Sequence, residues 1–194
     1  MSLRRIAGSL ALLAAFAGCG RTYTGTRMQP TVVAADVPLQ GDAPVSFAHP
    51  DGRVTVTTFG YTSCPDVCPT TLANWREVRR ALGADTAKVR FVFVSGDWVH
   101  DTPEAAATYA HQFDPSFIGV AADSATVRKV LPQFQAEVGY GGAPGGVKSF
   151  AHSDYNYVVD ETGRITFWYP FTVRPEALAA DLRRLLREHK LVTS

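Results

Sequence analysis

The sequence predicts an α/β domain in which a central mixed sheet is flanked by helices. Three observations lead there. Val89–Ser95 (VRFVFVS) is a nearly unbroken apolar run, the pattern of a strand covered on both faces. Residues 70–82 place Leu72, Trp75, Val78 and Leu82 at helical spacing. Strand-like and helix-like segments then alternate to the end of the chain, which favours a layered architecture.

The elements follow in order. Residues 44–48 and Val54–Gly60, separated by Asp51-Gly52, read as a hairpin with a D-G turn. Gly83 closes the helix at 70–82. Thr102-Pro103-Glu104 opens a second helix, with Thr as N-cap and Pro in the first turn, running to about residue 112. Residues 117–120 are a short strand, 124–134 a helix and 139–148 (GYGGAPGGVK) a Gly-rich loop. Residues 150–159 and 164–169 are strands around a turn at 160–163. Pro175-Glu176 opens a last helix that faces Leu178, Leu182, Leu185 and Leu186 inward. This order matches a thioredoxin-like fold with insertions.

The first residues are not part of that domain. Arg4-Arg5 precede an apolar stretch, residues 6–16, too short to span a bilayer and suited to a secretory signal. Ala17-Gly18-Cys19-Gly20 follows and resembles a lipobox, in which Cys19 is lipidated and becomes the mature N-terminus. The reading is therefore a lipoprotein signal over 1–19, a flexible tether over 20–37 and the domain over 38–194. A membrane-anchored lipoprotein of the cell envelope, facing the periplasm or exterior, is expected. The remainder, without Arg4 and Arg5, is close to neutral, which gives no ground for nucleic-acid binding. With 46% apolar and 19% charged residues the chain can bury a real core. A monomer is the expected state.

Cys19, Cys64 and Cys68 are the three cysteines. Cys64 and Cys68 lie in Cys64-Pro65-Asp66-Val67-Cys68-Pro69, directly after a strand and at the start of a helix. Residues four apart share one helical face, so the two sulfurs can converge on a metal or on each other. A helix N-terminus favours thiolate, the form that binds metal or attacks a disulfide. A merely structural disulfide would not need this strand-to-helix turn between prolines.

FGYTSCPDVCPTTL resembles the signature of the Sco/SenC family of copper proteins, which help assemble the binuclear copper centre of cytochrome c oxidase. FVFVSGDWVHDTPE, FDPSFIGV and FAHSDYNYVVDETGRI resemble further family segments in the same order. The resemblance implies that Cys64, Cys68 and His152 bind copper. It places Asp97 near the site, either as a group that orients the copper loop or His152 or as a strand-end turn residue; Asp66, by its place inside the loop, reads as an outer group or a turn former. Two thiolates and an imidazole suit Cu(I) and tolerate Cu(II), with zinc the chemical competitor. His49, His100, His111 and His189 read as surface or structural residues. One departure is Asp97-Trp98-Val99-His100, where the family usually has Asp-Pro-Glu-Arg; Trp98 and Val99 should expose apolar surface.

The implied role is a copper carrier rather than an enzyme. Its partners would be the oxidase copper subunit or another copper chaperone, with a membrane reached through the lipid. The alternative is a thiol–disulfide reductase acting on exported cysteine proteins, with Cys64 and Cys68 as the redox pair. The wider C-x-x-x-C spacing and the histidine favour metal. A peroxidase reading would need an arginine beside the thiol, and Arg76 is the nearest after the motif.

Overall fold

The computed structural model describes residues 22–41, 45–142 and 148–192. The signal and lipidation readings, including Cys19, lie outside them. A seven-stranded mixed sheet runs in the order β1-β9-β8-β3-β4-β5-β2. Its strands are β1 (Thr26–Val33), β2 (Gln40–Gly41), β3 (Val54–Gly60), β4 (Val89–Ser95), β5 (Ile118–Ala121), β8 (Tyr155–Val159) and β9 (Arg164–Pro170). The helices are α1 (Val67–Leu82), α2 (Pro103–His111), α3 (Ser124–Val130) and α4 (Pro175–Val192). β6 (Val138–Gly142) and β7 (Lys148–His152) form a separate two-stranded hairpin.

β3 is the axis of the molecule. All seven of its residues are buried, and it pairs in parallel with β4 and antiparallel with β8. Its β-branched residues suit a pleat covered on both faces. On one face Val54, Val56, Phe91 and Phe93 meet Leu72, Trp75 and Val78 of α1, with Leu178 and Leu182 of α4 and Phe117 in the same cluster. On the other, Phe59, Val92, Val94 and Tyr157 pack with Val127, Val130, Phe134, Leu39 and Phe47. The caps are as the sequence implies: Thr102 Oγ1 accepts from the Ala105 N–H at 3.2 Å, and Pro103 stands in the first turn.

Several boundaries differ from expectation. The segment read as a tether, 20–37, holds β1, whose residues pair antiparallel with β9; β2, just beyond it, pairs with β5. β1 escapes pattern reading because it is an edge strand that buries a single side chain, Met28. Its order comes from backbone pairing rather than from apolar alternation. Residues 45–48, the described part of the strand expected at 44–48, do not form a hairpin with β3, because β4 and β8 already occupy both of its edges. Val45 makes only an isolated bridge to Leu39. The helix expected over 124–134 stops at Val130 and continues as a 3-10 turn, Leu131–Phe134, where Pro132 has no N–H to give. The Gly-rich loop is partly β6, and residues 150–159 split at Ser153-Asp154 into β7 and β8.

Candidate metal centre

β3 delivers the site. Its last residue, Gly60, leads through Tyr61–Pro65 into α1, which begins at Val67, so Cys68 lies in the first helical turn and Cys64 just before it. Gly60 is there because nothing larger fits: a Cβ on it would lie 2.3 Å from Cys68 Sγ and 3.1 Å from Phe93 Cε2. Cys68 is 1% exposed and Cys64 9%. Both are free thiols. The Cys68 N–H points at Cys64 Sγ at 3.5 Å, the helix-terminus contact expected for a sulfur carrying negative charge.

His152 ends β7 and reaches the same point from the hairpin. Its Nε2 is 3.6 Å from Cys64 Sγ and 3.6 Å from Cys68 Sγ. The three ligand atoms lie within 4.8 Å of one another. Its Nδ1 is 3.1 Å from the Ser153 carbonyl oxygen, an acceptor only. Nδ1 therefore carries the proton, and the Nε2 lone pair faces the sulfurs, as a metal-ligating imidazole requires.

The two thiols are unequal. Burial pushes Cys64 up, but the backbone N–H groups of Asp66 and Cys68 lead the contacts that outweigh it and bring the thiol down to about 7. Burial dominates at Cys68 and, with the neighbouring Cys64 charge, pushes it well above an ordinary thiol. Tyr61 packs edge-on against His152 at 5.7 Å and Phe150 at 5.0 Å, and burial followed by the two sulfurs' charges raises its hydroxyl.

Two aspartates support the site in different ways. Asp97 does not touch the cysteine loop or His152. Its carboxylate accepts from the Tyr140 hydroxyl, from the N–H groups of Val99 and His100 at 3.2 Å, and contacts His100 Nδ1 at 3.0 Å. Burial would raise it, but these donors hold it below the usual carboxylate value. Tyr140 pairs with Phe150 across β6 and β7, so Asp97 fixes the hairpin that carries His152. Asp101 holds the cysteine loop itself. It accepts from the Thr62 N–H at 2.7 Å, from the Thr62 hydroxyl at 2.6 Å and from Ser95 Oγ. Asp101 was visible in the DTP stretch, but nothing in the sequence shows that its carboxylate turns back to Thr62.

Asp66 is exposed and forms no side-chain cap to α1; its backbone N–H, not its carboxylate, serves Cys64. His100 is an outward histidine clasped by Asp97 and Tyr140. Val99 is 62% exposed, as expected of an apolar departure, whereas Trp98 packs against Tyr140 at 5.8 Å and Phe150 at 6.5 Å. Tyr140 was read only as loop and carried no chemical signal in the sequence.

Comparison with known proteins follows the same lines. A SCO2-like protein of Rickettsia conorii is 30% identical over 135 residues, which cover 68% of this chain and 65% of that protein. This chain thus spans somewhat less than two thirds of that relative's length. The structure of Bradyrhizobium japonicum ScoI with copper bound is 33% identical, with a TM-score of 0.69, covering 79% of this chain and 99% of that one. The structure of apo Sco1 from Thermus thermophilus is 33% identical, with a TM-score of 0.73, covering 87% and 99%. The fold is the thioredoxin-like one of these neighbours. The SCO1/SenC family model matches residues 37–187, most of the chain, and the protein belongs to that family.

Proposed function

We propose that Cys64, Cys68 and His152 bind copper and that the protein is a carrier that supplies the copper centre of cytochrome c oxidase, receiving the ion from or passing it to another copper chaperone. One observation carries the reading. Two sulfurs and an unprotonated imidazole nitrogen converge within 4.8 Å, with the imidazole's other nitrogen tied to a carbonyl. Soft sulfur with one imidazole selects Cu(I) and still accommodates Cu(II). The copper-bound ScoI relative supports the choice of metal. The residues at 1–19 support a lipid-anchored protein of the cell envelope. Among the described residues no helix is long and apolar enough to cross a membrane.

The test is anaerobic loading of the reduced protein with copper and zinc in competition. One copper per chain, lost in His152→Ala, is expected. Preference for zinc, or equal copper binding by the variant, would overturn the assignment.

The inequality of the thiols favours a second reading, thiol–disulfide reductase. Cys64, brought down to about 7, is the attacking thiolate, and buried Cys68 the resolving thiol. Cys64 Sγ bonds to one sulfur of a partner disulfide and expels the other as thiolate. Cys68, giving up its proton, then displaces the partner's remaining sulfur. Two electrons pass to the partner and a Cys64–Cys68 disulfide remains. Stoichiometric reduction of a peptide disulfide by the metal-free dithiol, abolished in Cys68→Ser after the mixed-disulfide stage, is the distinguishing result.

A further inference from the structure

The chain enters its fold along α4. The Thr24 N–H and hydroxyl both donate to Asp181 Oδ2 at 2.7 Å, where the Tyr169 hydroxyl also donates at 3.2 Å. One residue earlier, the Tyr23 hydroxyl donates to Glu188 Oε2 at 2.7 Å. The Arg184 guanidinium lies 4.5 Å from the Tyr23 ring centre, and that ring stacks on Phe167 at 4.3 Å. From Tyr23 onward the chain is therefore fixed against α4, by Thr24 at Asp181 in its middle and by Tyr23 at Glu188 in its C-terminal half. Only residues 20–22 separate this contact from Cys19. Fully extended, that span reaches about 14 Å. With lipid on Cys19, the surface around Tyr23 and the end of α4 stays within that distance of the bilayer.

That surface is basic. Arg183, Arg184 and Arg187 lie on this half of α4, and Arg27 of β1 reaches over the same aromatic pair, 6.0 Å from the Tyr23 ring centre and 4.8 Å from that of Phe167. Glu188 is paired with Arg184 at 2.6 Å, and Asp181 is buried under Thr24 and Tyr169. Among the described residues Arg27, Arg183 and Arg187 have no carboxylate at salt-bridge distance; Arg183 donates to the Ala81 carbonyl.

The same contacts orient the molecule. Asn74 Nδ2 is 3.4 Å from the Phe171 carbonyl oxygen just before α4, while Arg183 meets Ala81 at the far end of α1. The two helices thus run side by side in the same sense. Cys68 opens α1, so Arg183 and Arg187 lie at the opposite pole, about 20 Å along the helix axis from the site, with Arg27 beside them at mid-strand level opposite Phe167.

We propose that the C-terminal half of α4, with Arg27, Arg183 and Arg187, rests on an anionic phospholipid surface and turns the Cys64–Cys68–His152 end away from the bilayer. The proposal rests on lipid anchoring at Cys19 and is independent of the copper ligands. The two chains of a diacylated cysteine anchor the protein without help, so the basic patch serves to set how the tethered domain lies on the surface. Each basic side chain near an anionic surface strengthens the contact about fivefold, so three act on the order of 100-fold together.

The experiment uses the full chain in nanodiscs of phosphatidylcholine alone and of phosphatidylcholine with about a third phosphatidylglycerol, read by amide hydrogen exchange at about 1 M and about 0.1 M salt, where the screening lengths are about 3 and 10 Å. Exchange over residues 183–192 should slow about tenfold in the anionic discs at low salt and not at high salt. Residues 61–70 should be unchanged. The exposed double variant Arg27→Gln/Arg187→Gln should lose the difference. Equal exchange in both discs, slowing at 61–70 instead, or an undiminished difference in the double variant would overturn the proposal. Association with neither disc would overturn the anchor and the docking together, with copper binding untouched.

Discussion

Replacing Gly60 by alanine tests the site at its tightest point. The added Cβ would stand 2.3 Å from Cys68 Sγ and 3.1 Å from Phe93 Cε2. Ordinary non-bonded contacts lie near 3.5–4.0 Å, so the sulfur must retreat by more than about 1 Å. It has nowhere to go, since Cys68 is 1% exposed and its backbone belongs to α1. Overpacking of this kind costs about 1–3 kcal/mol. For a domain of this size that lowers Tm by roughly 2–12 °C. The effect on metal is larger in kind, because metal–ligand distances tolerate only about 0.2 Å. Gly60→Ala should fold and bind Cu(I) at least about tenfold more weakly, the order of loss seen when groups supporting metal ligands are removed. The assay is competition against a chromogenic Cu(I) chelator, run beside a thermal melt. A folded Gly60→Ala protein with wild-type copper affinity would refute the reasoning, since it would mean that Cys68 Sγ is not where the ion binds.

Four further outcomes are expected. Asp101→Ala leaves the Thr62 N–H and two hydroxyls without their acceptor and should lose about 1–3 kcal/mol by chemical denaturation, with weaker copper binding. Tyr140→Phe removes the hydroxyl held by Asp97 and should weaken copper binding several-fold while leaving Tm nearly unchanged; an equal loss in both would point to a general structural role. Alkylation of Cys64 by iodoacetamide in metal-free protein should titrate near pH 7, and a midpoint at the ordinary thiol value of 9.0 would contradict the backbone N–H contacts to its sulfur. The lowered Cys64 thiol also makes metal-free protein more stable as pH rises from about 7 toward the ordinary thiol value of 9.0. Above 9.0 the raised Cys68 reverses the slope, because only the unfolded chain then releases that proton. Equilibrium unfolding across pH 6–10 reads both signs, and a monotonic rise would contradict the Cys68 environment.

The parts of the fold that sequence made legible are those whose order comes from burial. The β4 run, the α1 stripe ending at Gly83 and the Thr102-Pro103 cap each carry their cause within a few residues. β1 does not, because its order comes from backbone pairing to β9, some 130 residues away in the chain, and from Thr24 on Asp181. The hairpin that holds His152 was hidden for a related reason. Its glycines read as loop, and its docking depends on Tyr140 meeting Asp97 and on Val138 lying over Gly96. Cys64 and Cys68 declared themselves by spacing and by their place between strand and helix. His152 was reachable only through resemblance. Asp97 and Asp101 stand four apart in one turn, and only the folded chain shows that one serves the hairpin and the other the cysteine loop.

The hairpin is separate from the seven-stranded sheet, and this has a kinetic consequence. The two sulfurs belong to the rigid core, while the imidazole arrives on an arm tied at its base by Ser153 to Glu137 and along its length by aromatic edges. On the copper reading, swinging that arm away removes one bond and leaves the other two intact. An acceptor's ligand can then enter the vacated position before any sulfur lets go. On that reading the ion would change hands by substitution rather than by escape into solution, at a rate set by the side-chain contacts that hold the arm.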